Sequence, residues 1–136
     1  MTRSWLFVPG DDERKIARAW TSGADALIFD WEASVAVSPK ADARRVSANA
    51  LAAAPTSQRS CRIRFNALDD PHHKDDLAGL PVARIAGIVL PKACGTEALR
   101  AIDPKLRLRT ACRRRARNAA RGRDRHRKRA LGTRAH

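Results

Sequence analysis

The stretch ALIFDWE, residues 26–32, decides the fold: four apolar residues run unbroken into two acids that flank a tryptophan. An apolar run without alternation is typical of a strand buried on both faces of a parallel sheet. Asp30 and Glu32 then lie at the carboxyl end of that strand, the edge at which such sheets bind ligands. The stretch therefore predicts an α/β fold with acidic side chains at its binding edge.

The same strand-and-helix unit precedes this stretch. Residues 5–8, WLFV, form a short apolar run that Pro9 and Gly10 end. The acids at 11–13 suit the positive end of a helix, which the pattern extends to about Ser22. One βα unit therefore comes before the central strand.

The unit also recurs after the central strand. Ser38 and Pro39 indicate a helix start, a capping hydroxyl followed by proline at the first helical position, and residues 40–53 have the composition of an amphipathic helix. Periodicity leaves open whether the βα units in residues 1–105 form an open doubly wound sheet or the first half of an eight-stranded barrel. The remaining predicted elements are strands at 61–65 and 85–90 and helices at 75–80 and 96–102.

Polar side chains stand at the predicted strand ends. Because the carboxyl ends of parallel strands meet at one edge, we expect these side chains to form the binding site. Simpler interpretations exist for each of them, since the acids also suit a helix cap or a solvated loop and the arginine suits a surface. The candidate residues are Asp30, Glu32, Arg64, Asn66 and Lys92.

A second polar cluster consists of residue types that bind metals: His72, His73, Asp75 and Asp76. We interpret it as a polar loop that leads into the N-terminus of the predicted helix, where acids are favourable. The cluster is therefore not predicted to bind a metal.

Cysteine usage and hydropathy indicate a cytoplasmic protein. Cys61, Cys94 and Cys112 are widely spaced, form no Cys-x-x-Cys pair and are interpreted as reduced thiols. The apolar run at residues 5–9 is too short for a signal-peptide core, and no run approaches the roughly 20 apolar residues of a transmembrane helix. No membrane partner is predicted.

Positive charge is concentrated at the C-terminal end. The 136 residues carry a net charge of +14, of which residues 106–136 hold +12 through 13 Lys and Arg residues and one acid. Such a segment suits an anionic partner such as a nucleic acid. Residues 1–105 carry the remaining charge of +2, so nearly all of the excess positive charge belongs to the C-terminal segment.

The strand ends together resemble a known family. Residues 3–10 (RSWLFVPG), 30–35 (DWEASV), 62–66 (RIRFN) and 87–92 (GIVLPK) follow in the order and spacing of the citrate lyase beta-subunit-like branch of the HpcH/HpaI aldolases. The resemblance covers about residues 3–105. It implies that this part is a truncated TIM barrel, the first four βα units of a (β/α)8 fold, followed by an Arg-rich tail at 106–136.

The resemblance also implies an activity. Members cleave or form a carbon–carbon bond in acyl-CoA substrates such as citryl-CoA, malyl-CoA or citramalyl-CoA, with Mg2+ as cofactor, and a homo-oligomer is possible. Arg64 matches the substrate-binding arginine, Asp30 and Glu32 match the acids near the metal site, and Lys92 closes the strand-4 motif. An acyl-CoA or 2-oxo acid is therefore the expected partner.

Two departures from the family pattern put activity in doubt. Ala33 stands where the family usually has a second acid directly after the one that matches Glu32. The two carboxylates that ligate Mg2+ in the family come from later strands, and neither exists in this chain as translated. The resemblance thus implies a lyase whose inner-sphere metal ligands are absent, so we expect impaired or no activity.

Three interpretations of residues 106–136 compete: a nucleic-acid-binding arm, a solvated tail, and a product of the wrong reading frame. The segment contains no aromatic residue for base stacking and only one lysine. If its arginines use CGN codons, the +1 register across residues 118–131 permits Ile-Ala-Thr-Glu-Ser-Ala or Ile-Asp-Thr-Glu-Asn-Ala. Either matches the family's strand-5 pattern with its metal-binding Glu, so we favour a frameshift.

Two rival functions stay open. The first is a basic nucleic-acid-binding protein that uses its Arg-rich tail, although any such tail binds polyanions nonspecifically. The second is a non-catalytic relative that still binds an acyl-CoA or a 2-oxo acid through Arg64.

Overall fold

The structure is a computed structural model, and it describes residues 1–36, 39–54, 59–93, 95, 96, 99, 100 and 102. The chain divides into two compact units, Met1–Leu99 and Arg100–His136. Of the second unit, only Arg100 and Ile102 are described. The predictions that fall outside the described residues concern Ser38, Cys94, Cys112 and the Arg-rich tail with its reading frame.

Four parallel strands form one sheet in the order β1-β2-β3-β4, and one helix lies between each pair of consecutive strands. This arrangement confirms the α/β prediction. Residues 95, 96, 99, 100 and 102 are helical as well, in the region where a helix at 96–102 is predicted. The elements are β1 (Trp5–Pro9), α1 (Glu13–Thr21), β2 (Ala26–Asp30), α2 (Lys40–Ala53), β3 (Ser60–Arg64), α3 (His73–Gly79) and β4 (Gly87–Val89).

Strand β2 is buried along its whole length, as predicted. Side chains alternate along a strand, so Phe29 points to one face, where its ring lies 5.9 Å from that of Trp20 in α1. The helices therefore cover the Phe29 face. The opposite face is called the arginine face, and it carries Trp5, Phe7, Ile28, Arg62 and Arg64.

Helix boundaries follow local capping. The Asp12 carboxylate accepts a hydrogen bond from the Lys15 backbone N–H at 2.9 Å and caps α1, as its acidic start predicts. The predicted bounds of α2 are confirmed, but Pro39 precedes the helix and does not occupy its first position. The third predicted helix, at 75–80, begins at His73, two residues early, because the carbonyl of His72 already accepts a hydrogen bond from the Asp76 N–H at 3.0 Å.

Gly10 allows the ends of β1 and β2 to meet. A Cβ atom at this position would lie 2.7 Å from the Trp31 ring and 2.8 Å from the Ser47 hydroxyl. The backbone N–H of Gly10 donates to the carbonyl of Asp30 at 3.0 Å, and the Ser47 hydroxyl donates to the carbonyl of Gly10 at 3.0 Å. The carboxyl end of β1 is thereby held against Asp30 and Trp31.

Among the described residues, no helix has the length and apolar character that crossing a bilayer requires.

Candidate carboxylate-binding site

Asp30 and Arg64 form a two-pronged ion pair at the carboxyl ends of β2 and β3. The two residues are partners in the parallel register. Arg64 donates from Nε to Oδ1 at 2.9 Å and from Nη2 to Oδ2 at 2.6 Å. This fork geometry is the strongest way for an arginine to hold a carboxylate. Two predicted site residues are thus brought together.

Backbone donors complete the coordination of the Asp30 carboxylate. The N–H of Glu32 donates to Oδ1 at 2.9 Å and that of Ser34 donates to Oδ2 at 2.8 Å. Burial raises the pKa of Asp30, but the hydrogen bonds from Arg64, Ser34 and Glu32 outweigh it and hold the pKa at about 2. Asp30 is therefore ionised at neutral pH, and its oxygens are committed to positioning Arg64.

The Arg64 guanidinium keeps one edge open. Asp30 uses the Nε–Nη2 edge, and the hydrogen bond from Arg64 to Asp30 raises the pKa of Arg64. Nη1 makes no hydrogen bond with the described residues and lies 3.7 Å from the Glu32 carboxylate. The Phe7 ring lies 4.7 Å from the guanidinium carbon, and the side chain is 23% exposed. The Nη1–Nη2 edge can therefore receive the carboxylate of a ligand.

Lys40 organises the segment that follows β2, and the sequence analysis missed it as a site residue. Its ammonium donates to the carbonyl of Trp31 at 2.9 Å and to that of Glu32 at 2.8 Å, and the residue is only 6% exposed. One signal could have revealed it, because a cation at the first position of a helix opposes the helix dipole. The two hydrogen bonds to carbonyls explain its position, because they hold the acidic stretch, residues 30–32, in place.

Asn66 lies at the predicted strand end, but its side chain is buried and joins neighbouring segments through hydrogen bonds. Its amide donates to the carbonyl of Trp31 at 3.0 Å and to the Asp76 carboxylate at 2.7 Å. Arg44 donates to the other Asp76 oxygen at 2.9 Å. Asn66 Oδ1 is the buried side-chain polar atom without a hydrogen bond in the described part of the chain. The role of Asp76 and Arg44 was missed, because their pairing joins positions far apart in sequence.

Lys92 and the second polar cluster take no part in the Asp30–Arg64 ion pair. Lys92 follows β4, is exposed, and adopts a positive φ of 51°. No hydrogen bond or ion pair joins it to Asp30 or Arg64 among residues 1–36, 39–54 and 59–93. His73 contacts the carbonyl of Asn66 at 3.0 Å through Nδ1, so the second polar cluster holds the segment that follows β3.

A comparison with protein families decides the relationship. The sequence model of the HpcH/HpaI aldolase/citrate lyase family matches residues 3–123. This match extends beyond residue 105, where the resemblance seen in the strand-end motifs ends. The chain belongs to this family.

Similar HpcH/HpaI proteins include a (3S)-malyl-CoA thioesterase of Cereibacter sphaeroides strain ATCC 17023, which is 37% identical over 109 residues. That match covers 78% of this chain and 38% of the relative. The citrate lyase subunit beta of Escherichia coli K12 is 34% identical over 111 residues, covering 81% and 37%. The chain spans roughly two fifths of the length of these relatives.

Solved structures agree with the family assignment. The citrate lyase beta subunit of Mycobacterium tuberculosis complexed with oxaloacetate and magnesium matches with a TM-score of 0.59 at 28% identity. The match covers 74% of this chain and 43% of that one. The structure of RipC from Yersinia pestis matches with a TM-score of 0.58 at 29% identity. Magnesium in the solved citrate lyase beta structures is consistent with the Mg2+ that the resemblance implies.

The described residues of this HpcH/HpaI chain do not by themselves fit a magnesium ion. Mg2+ prefers several oxygen ligands in octahedral geometry. Both Asp30 oxygens are engaged by Arg64 and by backbone N–H groups. Glu32 is the one other carboxylate beside the pair among the described residues, and it lies 3.7 Å from Arg64 Nη1. Within the part of the chain that the structure describes, no group of three or more His, Cys, Asp or Glu residues could hold a metal. No chemical step is therefore assigned to a metal here.

Proposed function

We propose that this chain carries the carboxylate-anchoring part of a carbon–carbon lyase that acts on acyl-CoA substrates and releases a 2-oxo acid. Citryl-CoA, malyl-CoA and citramalyl-CoA represent this class. The observation that carries the proposal is the open Nη1–Nη2 edge of Arg64 above a fully buried, ionised Asp30. Membership of the HpcH/HpaI family supports the reaction class.

We further propose that the four strands are the first half of a (β/α)8 barrel. The order β1-β2-β3-β4 supports this, because neighbours in sequence are neighbours in the sheet throughout. Doubly wound folds instead reverse their strand order at a switch point. Ligands of barrels bind at the carboxyl ends of the strands, and Asp30 and Arg64 lie there.

The proposed roles follow from charge and hydrogen bonding. Cleavage next to a carbonyl leaves an enolate on one fragment and a 2-oxo acid on the other, so the site must neutralise negative charge. Arg64 binds and orients the carboxylate of the 2-oxo acid, and Asp30 fixes the plane of the guanidinium. Lys40 and Asn66 hold the acidic stretch in place.

Lyase turnover needs a metal site in addition to the Arg64 anchor. A metal site needs carboxylates in addition to Glu32, and the family supplies them from later strands. Ligand binding through Arg64 does not require those strands. The proposal is therefore tested by binding.

Isothermal titration calorimetry of oxaloacetate with the full chain and with Arg64→Gln measures the anchor directly. Loss of charge-assisted hydrogen bonds costs about 1.5–3 kcal/mol, so the affinity should fall at least tenfold. Arg45→Gln is the matched control, because Arg45 is an exposed arginine on α2 that pairs with Asp42. Equal affinity of Arg64→Gln and the parent chain would contradict the proposal.

The net charge of +12 in residues 106–136 favours a second candidate function, the binding of nucleic acid. Under this alternative, duplex DNA binding weakens steeply with salt because counterions are released. Deletion of residues 106–136 should then abolish binding. Binding that survives the deletion removes the alternative.

A further inference from the structure

Arg62 is a second arginine that the proposed function does not use. It lies two residues before Arg64 on β3, so both side chains are on the arginine face at a spacing of about 6.6 Å along the strand. Trp5 and Phe7 repeat this spacing on β1. Each arginine stacks on one ring, with the Arg62 guanidinium 4.2 Å from the Trp5 ring centroid. The two arginine–ring pairs, Arg62–Trp5 and Arg64–Phe7, therefore follow one another along the strands, and we call them the two rungs of a ladder.

The two rungs differ in their counter-ions. Arg64 is paired with Asp30, whose oxygens are fully engaged. Arg62 makes no ion pair and no side-chain hydrogen bond with the residues that the structure describes, although it is half-buried. A partly desolvated cation without an anion is unfavourable, and an anionic ligand would relieve this cost.

The surroundings of Arg62 leave its guanidinium accessible from the arginine face. Its neighbour on β4 is Gly87, and a Cβ atom there would already lie 3.4 Å from the Arg62 Nε. On the β1 side, Trp5 and Phe7 are exposed and contribute flat rings but no charge. Among the described residues, Asp25 lies at the amino end of these strands, where its carboxylate accepts hydrogen bonds from the backbone N–H groups of Arg3 and Ser4. The acids at the carboxyl end stand beside Arg64.

Resting on the proposed function, we infer that Arg62 forms a second carboxylate subsite, so that the site selects dicarboxylic 2-oxo acids of about four carbons over monocarboxylic ones. Arg64 receives the carboxylate next to the 2-oxo group, and Arg62 receives the distal carboxylate. Oxaloacetate separates its two carboxylates by two carbons. Its length suits neighbouring rungs once each carboxylate lies one hydrogen bond from its guanidinium. Arg62 is in this sense a specificity-determining residue.

The test compares oxaloacetate with 2-oxobutyrate, which replaces the distal carboxylate by a methyl group and keeps the four-carbon chain. Calorimetry of the full chain in metal-free buffer should give at least tenfold tighter binding of oxaloacetate. In Arg62→Gln this preference should fall below threefold, with the affinity for 2-oxobutyrate unchanged. Arg62→Lys should retain part of the preference, because an ammonium keeps the charge and loses the fork.

The outcomes separate this inference from the function on which it rests. Arg64→Gln should weaken both ligands, and if the parent chain binds neither ligand, the proposed function and this inference both fail. If the parent chain binds both ligands equally, or if Arg62→Gln and Arg62→Lys both keep the full preference, the second subsite is wrong while the Arg64 anchor stands. Arg45→Gln serves as the control variant, and circular dichroism verifies that each variant folds. If Arg62→Gln does not fold, the Arg62→Lys preference alone decides.

Discussion

Replacement of Asp30 by asparagine removes the charge that holds Arg64 and keeps the size of the side chain. Hydrogen bonding lowers the pKa of Asp30 from 3.8 to about 2 against the effect of burial. At about 1.36 kcal/mol per pKa unit, this difference corresponds to about 2.5 kcal/mol of folding free energy at neutral pH. The amide nitrogen would also face N–H donors, which adds about 1 kcal/mol. We expect Asp30→Asn to lower the free energy of unfolding by about 3.5 kcal/mol at pH 7.

The pH dependence distinguishes the charge from simple repacking. Because the folded state has the lower pKa, the carboxylate stabilises the fold above the unfolded value of 3.8, and this contribution is lost as the pH falls through about 2. Urea unfolding followed by tryptophan fluorescence should therefore show a difference between parent and variant that shrinks by about 2 kcal/mol between pH 5 and pH 2.

Asp42→Asn is the matched control, since Asp42 is an exposed acid whose pair with Arg45 is worth about 0.5 kcal/mol. The reasoning is refuted if Asp30→Asn costs no more than this control at pH 7. A difference between parent and Asp30→Asn that stays constant from pH 5 to pH 2 would refute it equally.

Three further outcomes are expected. Lys40→Met should destabilise the fold by about 2 kcal/mol, because two carbonyls after β2 lose a buried donor; Lys15→Met, at an exposed position, should cost under about 0.5 kcal/mol in the same urea titration. Gly10→Ala should cost about 1–3 kcal/mol, because its Cβ would lie 2.7 Å from an indole carbon, whereas Gly23→Ala meets no atom within 4 Å and should be neutral by thermal unfolding. Sequencing the gene across codons 118–131 should reveal Thr-Glu followed by Ser or Asn and then Ala in the +1 register; a stop codon there, or a register without that Glu, rules out the frameshift.

Much of the fold could be predicted because its signals are local. The bounds of α2, Lys40–Ala53, follow from a helix-start pair and a helical composition within one segment. The unbroken apolar run of β2 predicts burial on both faces, and each of its residues is buried. The position of the third predicted helix was less accurate, because a backbone hydrogen bond from Asp76 to His72, and not a composition signal, decides where α3 begins.

The candidate site could be predicted as a set of strand ends but not as a set of contacts. The same edge of the sheet carries Asp30, Arg64 and Asn66, as the parallel pattern predicts. Lys92 follows the predicted strand 4, but no hydrogen bond or ion pair joins it to Asp30 or Arg64 among the described residues. The supporting role of Lys40 depends on where its long side chain reaches, and no local pattern encodes that reach.

The sequence by itself determined that buried parallel strands end in acids and in an arginine, because burial and strand polarity are written in the order of apolar and polar residues. Only the tertiary structure decided how those charges are shared. The register sets Asp30 opposite Arg64, a partner 34 positions away, and thereby commits the acid to one edge of the guanidinium while the other edge stays open. It also leaves Arg62 without an acid among the described residues. Pairing of this kind depends on side-chain geometry across strands, which composition and periodicity do not contain.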